Sequence, residues 1–356
     1  MDSSLMDVAD SSAAQYGLTE RFAAIPVAQP ADYRLGADLL AGHAAGTVPH
    51  ALRFQRYRPS VLVGCHQVFA KEAREAWCAE RGIAVVRRET AGGALYMDEG
   101  QQAFHLVVPS AKLGNSVSER LQKGAAILAT ALRSLGVPTT FKAPNDLQID
   151  QRQKIGSLFL AETGNSTLLF GTVIVELDLK SAMQALLVPT EKLTVTGLEH
   201  AHERMTSLAE QLGAAPQAAI LQGAIAGAFV DALRLPVAIT DGGITTLASP
   251  VTDNMSADWE PRTERFETKD KVPGATLRLN LGVMQGNVSD HVRFSTDGQF
   301  SPTDSLVRLG EQLTGLHLDS LATGARAFFQ SEQIDCAGFE PEDVIRLIER
   351  AVTKKL

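Results

Sequence analysis

The sequence predicts an α+β fold, a sheet flanked by helices followed by a small second α+β unit. Three observations predict it. Strand-like segments follow one another directly over residues 146–177, which argues against the strict alternation of a doubly wound sheet. Residues 116–135 carry the apolar spacing of a long amphipathic helix. A stretch rich in Pro, Gly, Thr and Asp, 236–265, then precedes a cleanly alternating strand at 275–283, as at a domain boundary.

The elements follow in order. Residues 1–20 read as a tail, and 31–46 have helical spacing. Ser60-Val61-Leu62-Val63-Gly64 reads as a short buried strand with a glycine stop, Lys71–Glu80 as one helix, and Ile83–Arg88 as a strand. Gln102–Val108 is a further strand, ended by Pro109. In the 116–135 helix, Leu121, Ala125, Leu128, Ala131, Leu132 and Leu135 form the apolar stripe, and Gly136 is a C-cap signal. Strands are expected at 146–150, 155–162 and 167–177, and helices at 180–187, 202–211 and 215–234. Beyond the boundary segment, a hairpin at 275–283 and 291–294 and two helices, 303–314 and 341–353, complete the second unit.

A net charge of −8 and a pI near 5.5 make nonspecific nucleic-acid binding a poor expectation, since that needs a basic footprint. The cysteines, Cys65, Cys78 and Cys336, are far apart and without CxxC spacing, so neither a disulfide framework nor a zinc site is supported. The polar, acidic first residues lack the basic and apolar regions of a signal peptide, and no apolar run reaches the ~18 residues of a membrane span. A cytoplasmic setting with no membrane partner is therefore expected.

Two segments carry the chemistry. The first is Val85-Val86-Arg87-Arg88-Glu89-Thr90-Ala91-Gly92-Gly93-Ala94-Leu95-Tyr96-Met97-Asp98. The second is Lys142-Ala143-Pro144-Asn145-Asp146, followed by Lys154-Ile155-Gly156. Fixed cations, a glycine loop, a carboxylate and a lysine suit an enzyme that handles an acid and a nucleotide phosphate together. On a strand, adjacent side chains point to opposite faces, so only one of Arg87 and Arg88 can face a ligand. Arg88 is the expected one, its planar guanidinium able to grip two oxygens at once. His66 and His105 fit either ligand or structural roles, and Cys65 fits a small packing residue.

These segments resemble lipoate–protein ligases of the biotin/lipoate ligase superfamily. The family pattern is a doubled arginine, a spacer, Ser or Thr, three glycines, a small residue, two apolar residues and His-Asp. Arg87–Asp98 follows it with departures. Val63-Gly64-Cys65-His66-Gln67, Asn145-Asp146, Phe170-Gly171-Thr172 and Arg204-Met205-Thr206-Ser207-Leu208 resemble further family segments. The end of the chain resembles the accessory domain of bacterial-type ligases, giving a division into 21–265, catalytic, and 266–356, accessory. The resemblance implies a mixed sheet flanked by helices, related to class II synthetase and biotin ligase cores. It implies that lipoate is activated by ATP as lipoyl-AMP and passed to a lysine of an acceptor lipoyl domain. It implies a mobile accessory unit, with 236–265 as its linker. It implies acid and adenylate contacts from Arg88, Thr90, Gly92, Gly93 and Asn145, Mg²⁺ on Asp146, and charge neutralisation by Lys154 beside Gly156.

The departures are specific. Ala91 stands for the first glycine, Met97 for the histidine before Asp98, Gln101 for the asparagine after Gly100, and Phe170 for a histidine before Gly171-Thr172. The family spacing is lysine, two residues, glycine, whereas Lys154 is one residue from Gly156 and Gln153 holds the lysine position. A one-residue slip in a strand turns a side chain to the other face. Either a bulge brings Lys154 inward or the standard lysine is missing. The alternatives are an octanoyl- or lipoyl-transferase of the same superfamily and an inert lipoyl-domain binding protein. A biotin ligase is disfavoured by the Arg87-Arg88 pattern.

Overall fold

The computed structural model describes residues 35–150, 152–187, 202–249, 265–285 and 287–355, with Met255 and Trp259. The expected tail, the first residues of the 31–46 helix and most of the 250–264 linker lie outside the described residues.

The large sheet takes its order from hydrophobic strands that pair directly. β1 (Ala51–Tyr57), β5 (Gln101–Pro109), β6 (Thr139–Lys142), β7 (Asp146–Ile149), β8 (Gln153–Thr163), β9 (Ser166–Ile174) and β10 (Ala238–Thr245) form a seven-stranded sheet in the order β10-β1-β5-β9-β8-β7-β6. β10 lies parallel to β1 and the other neighbours are antiparallel. The expected linker over 236–265 is thus in part an edge strand. A second sheet, β2 (Ser60–Val63) between β3 (Ala84–Arg87) and β4 (Leu95–Met97), covers part of one face.

Side-chain alternation divides the large sheet into two faces. One carries Phe54, Phe104, Leu106, Leu158, Leu160 and Leu169, all nearly inaccessible, against α2 (Val117–Ser134) and α3 (Ala218–Leu233). In α2, Leu121, Leu128 and Leu132 are fully buried, each stabilising the fold by ~1.5–3 kcal/mol. Ser116 caps this helix by accepting from the Glu119 N–H, and Gly136 ends it at φ +89°. The other face carries Ala103, Phe159 and Phe170 under Leu62, Val86 and Met97 of the second sheet. Beyond them Leu168 and Val107 pack under α1 (Leu35–Ala44). Met97 replaces a histidine in an apolar layer, which suits it.

Residues from Arg265 on build their own core. β11 (Arg265–Val272), β12 (Ala275–Met284) and β13 (Val288–Thr296) form an antiparallel sheet. α4 (Ser305–Leu313), α5 (Leu321–Ser331) and α6 (Pro341–Lys355) share its apolar cluster. The expected hairpin and two helices gain three strands, two of them short, and a helix. The Lys71–Glu80 helix is two short ones, Phe69–Glu72 and Glu75–Ala79, broken by extended Ala73, and the stretch expected as one helix over 202–211 is helical at His202 and again over Leu208–Leu212, with residues 203–207 not helical.

This second core meets the large sheet through β14 (Gln299–Ser301) and β15 (Asp335–Ala337). β7 ends opposite Ser157, so strand pairing on this edge of β8 stops there. The buried Gln299 amide continues the ladder, accepting from the Leu160 N–H (2.9 Å) and donating to Leu158 O (3.3 Å). Asp335 accepts from the first amide of α2, a favoured place for a carboxylate. Gln299→Ala leaves the Leu160 N–H unpaired, and the expected loss is ~1–3 kcal/mol in chemical denaturation.

Candidate functional site

The glycine loop, residues 89–93, is folded around the Arg88 guanidinium. Nε donates to Thr90 Oγ1 (3.1 Å), one terminal nitrogen to Leu62 O (2.8 Å), and the other to Ala91 O (2.9 Å) and Gly93 O (2.8 Å). The group lies 4.4 Å from the centre of the Phe159 ring. A guanidinium has five N–H donors, and four are engaged here. Arg88 thus holds the loop, and its fifth N–H has no partner among the described residues. Burial pulls its pKa down to about 9, which leaves it charged at neutral pH. Arg87 is committed differently, to the carbonyls of Gly64 (2.9 Å), Cys65 (3.2 Å) and Gln67 (2.7 Å).

The loop lies directly on β8. The Ala91 N–H donates to Leu160 O (3.3 Å). Gly92 has φ +98°, and a Cβ there would lie 2.2 Å from Phe159 Cδ1, so only glycine fits. Ala91 has no such φ, which explains why alanine is tolerated at the first glycine position. Among the described residues, nothing accepts from the amides of Gly92 and Gly93. Thr90 is buried and accepts from Arg88, keeping its own hydroxyl proton to give.

Lys154 arrives through a bulge in β8. Leu147 pairs with Gly156 and Gln148 with Lys154, so Ile155 is the extra residue and sits in the core. Lys154 thereby shares a face with Asp146, and its Nζ lies 2.7 Å from Asp146 Oδ1. Ser157 donates to the same oxygen (3.0 Å). The backbone of Lys154 is clamped on both sides, its N–H donating to Arg204 O (2.8 Å) and its carbonyl accepting from the Thr206 N–H (3.0 Å). The Arg204–Ser207 segment thus secures the bulge, and Ser207 and Glu210 form a capping box just after it. Gln153 pairs with Ile149, further from Asp146. At Gly156 a Cβ would lie 2.5 Å from Thr172 O, so the strands approach there as only glycine allows. The Asn145 carbonyl accepts from the Leu158 N–H (2.8 Å).

Among the described residues, no cluster of three or more His, Cys, Asp or Glu could hold a metal ion. Asp146 Oδ2, unlike Oδ1, has no hydrogen-bond partner among them. A lone carboxylate oxygen fits Mg²⁺ that takes its remaining ligands from phosphates and water.

Between Arg88–Thr90 and the sheet lies a chamber of about 30 Å³, lined by Leu62, Val86, His105, Leu168, Phe170 and Leu247 among others. A water needs ~10–15 Å³ of such space, so the chamber has room for roughly two.

The second core supplies residues that no sequence motif marked. Phe300 stacks on His66 with ring centres 4.4 Å apart, the Thr296 N–H donates to His66 O (3.0 Å), and Asp297 lies beside Gly93. In the sequence, Asp297-Gly298 is a turn signal and no more. Burial, then Arg87, pushes the His66 pKa down to about 3. Burial raises all three thiols, Cys65 to about 12, Cys78 to about 11 and Cys336 to about 12, so none forms a ready thiolate.

A mixed sheet, a glycine loop bonded to one of its strands and a lysine–carboxylate pair on the same face make up the candidate site. The chain matches the family described as Lipoyl protein ligase A/B catalytic domain over residues 33–230, more than half of its length, and it belongs to that family. It is 32% identical over 155 residues to Lipoate–protein ligase 1 of Staphylococcus aureus (strain Mu50), covering 44% of this chain and 46% of that protein. It is 29% identical over 161 residues to Lipoate-protein ligase LplJ of Bacillus subtilis (strain 168), covering 45% and 47%. These matches span about half the length of either relative. The fold is similar to that of P. falciparum LipL1 in complex with lipoate, with a TM-score of 0.63 at 14% identity over 90% of this chain and 95% of that one.

His66 stays neutral in the fold down to about pH 3, while in the unfolded chain it takes up a proton near pH 6.5. Between these values the unfolded state binds more protons, so this group's stability contribution falls as pH falls. His66→Phe removes the effect and keeps a ring against Phe300. The stability difference between variant and wild type, from denaturation at pH 7.5 and 5, is expected to move in the variant's favour at pH 5.

Proposed function

We propose that the chain is an ATP-dependent lipoate–protein ligase, with residues 21–265 as its catalytic part and 266–356 as its accessory part. The observation that carries this is the β8 bulge, which sets Lys154 2.7 Å from Asp146 on the sheet face that the glycine loop covers. Family membership and the relatives named lipoate–protein ligase support the same reading.

The reaction has two steps. A carboxylate oxygen of lipoate attacks the α-phosphate of ATP, the bond to the β-phosphate breaks, and pyrophosphate leaves. The acceptor lysine's amine then attacks the acyl carbon, AMP leaves, and the amine gives up a proton as the amide forms. Lys154 neutralises charge between the carboxylate and the α-phosphate, a role that gains strength in a water-poor site. The Gly92 and Gly93 amides approach the phosphate as neutral donors. Arg88 keeps the loop in shape and lends its remaining N–H. Asn145 orients Asp146, whose Oδ2 would hold Mg²⁺, and that ion would screen the phosphates. The acceptor is a lipoyl-domain protein, and nothing in this chemistry requires nucleic acid.

An octanoyl- or lipoyl-transferase using a thiol is disfavoured by the raised thiols, Cys65 above all. No helix among the described residues is long and apolar enough to cross a membrane.

The test is direct. The protein is incubated with lipoate, Mg-ATP and a lipoyl domain, and the acceptor is weighed by mass spectrometry. A gain of one lipoyl group that requires ATP is expected. Transfer from an acyl carrier without ATP would favour the transferase, and binding without mass change the inert partner. Lys154→Ala should lower pyrophosphate release at least ~100-fold, the scale of losing one electrostatic contact to a transition state. Gln153→Ala should leave most activity, and the reverse result would reassign the site to Gln153.

A further inference from the structure

His105 and Phe170 face each other across β5 and β9, their rings stacked at 4.9 Å and 25°. In the pattern this chain resembles, a histidine precedes Gly-Thr, and Phe170 stands there instead. The same layer nevertheless holds an imidazole, delivered from the neighbouring strand. His105 is 7% exposed and lines the chamber. Its Nδ1 meets no hydrogen-bond partner among the described residues. Leu62, Val86, Leu168, Phe170 and Leu247 supply apolar wall to the chamber, and Tyr57 and the Arg87–Thr90 segment also line it. An unpaired buried donor or acceptor costs ~1–3 kcal/mol, which a suitably placed ligand atom would recover.

The layers of the sheet locate this nitrogen relative to the chemistry. Ser157, bonded to Asp146, pairs with Thr172, and Thr172 with Ala103. One row further lie Phe159, Phe170 and His105. His105 is thus two strands and one row from Ser157, ~12 Å by strand spacing and rise. An eight-carbon acid with its carboxylate near Lys154 would bring its far end to this distance. Burial, with Arg53 opposite on β1, keeps the imidazole neutral, so one nitrogen donates and the other accepts.

We infer that His105 is the specificity residue of the acyl chamber, hydrogen-bonding a weak acceptor near the far end of the acid, such as a dithiolane sulfur, and so favouring lipoate over a saturated chain such as octanoate. This rests on the ligase reading above. A saturated tail leaves the nitrogen unpaired, which is how a site built to hydrogen-bond one substrate rejects the analogue without a partner atom.

The experiment measures kcat/KM for pyrophosphate release with lipoate and with octanoate, in wild type and His105→Phe, with thermal midpoints recorded. The wild type is expected to prefer lipoate, and His105→Phe to lower the lipoate-to-octanoate ratio ~10-fold, mainly through KM for lipoate. An unchanged ratio in a folded variant overturns the inference and leaves the ligase reading intact. A wild type that uses neither acid sinks that reading, and the inference with it. If His105→Phe does not fold, nitrogen-15 histidine NMR of the wild type decides. The His105 Nδ1 resonance should shift with lipoate and not with octanoate, and equal responses overturn the inference.

Discussion

A buried guanidinium holds the site in shape. Arg88 donates to Leu62 on β2, to Thr90, and to the carbonyls of Ala91 and Gly93, while its flat face lies on Phe159 of β8. It therefore ties the small sheet, the glycine loop and the large sheet together at one point. Carbonyls turned toward Arg88 leave the amides of the loop to face elsewhere, and those amides are what a phosphate needs. A lysine would not substitute, because a point charge lacks the planar fork that reaches several acceptors at fixed angles.

The second element that matters is the Ile155 bulge. By alternation alone, Lys154 would oppose Ile149 and point into the core under α2 and α3. The extra residue rotates it onto the face of Asp146, and Arg204–Ser207 locks that rotation through backbone bonds. A shifted lysine spacing is thus compatible with a lysine in place. The far part of the chain completes the same edge: Gln299 extends the β8 ladder where β7 stops, and Phe300 covers His66. The glycine loop lies between the two contacts, so the second core bears on its surroundings.

Legibility followed the range of the forces. The 116–135 helix, the 167–177 strand and the 275–283 strand came through because each carries a complete local pattern of apolar residues, and burial enforced it. The Lys71–Glu80 helix failed because Ala73 is pulled out to pair with Leu186, a contact the local composition does not record. β10 was hidden in a segment that looked like linker, since its Gly and Asp content is tolerated by an edge strand paired with β1 alone. Ala91 and Met97, departures in the pattern, became intelligible once their backbone angle and apolar surroundings were known.

The sequence alone determined the α+β character, the cation–glycine–carboxylate–lysine set and the resemblance to lipoate–protein ligases, because spacing along one chain encodes local geometry and residue chemistry. Tertiary structure decided which arginine donors are already occupied, on which face Lys154 emerges, and that His105 sits at a chamber wall with a nitrogen that meets no partner among the described residues. Those outcomes depend on hydrogen bonds and packing between segments tens of residues or more apart, whose free energies belong to the assembled fold and to no local stretch of it.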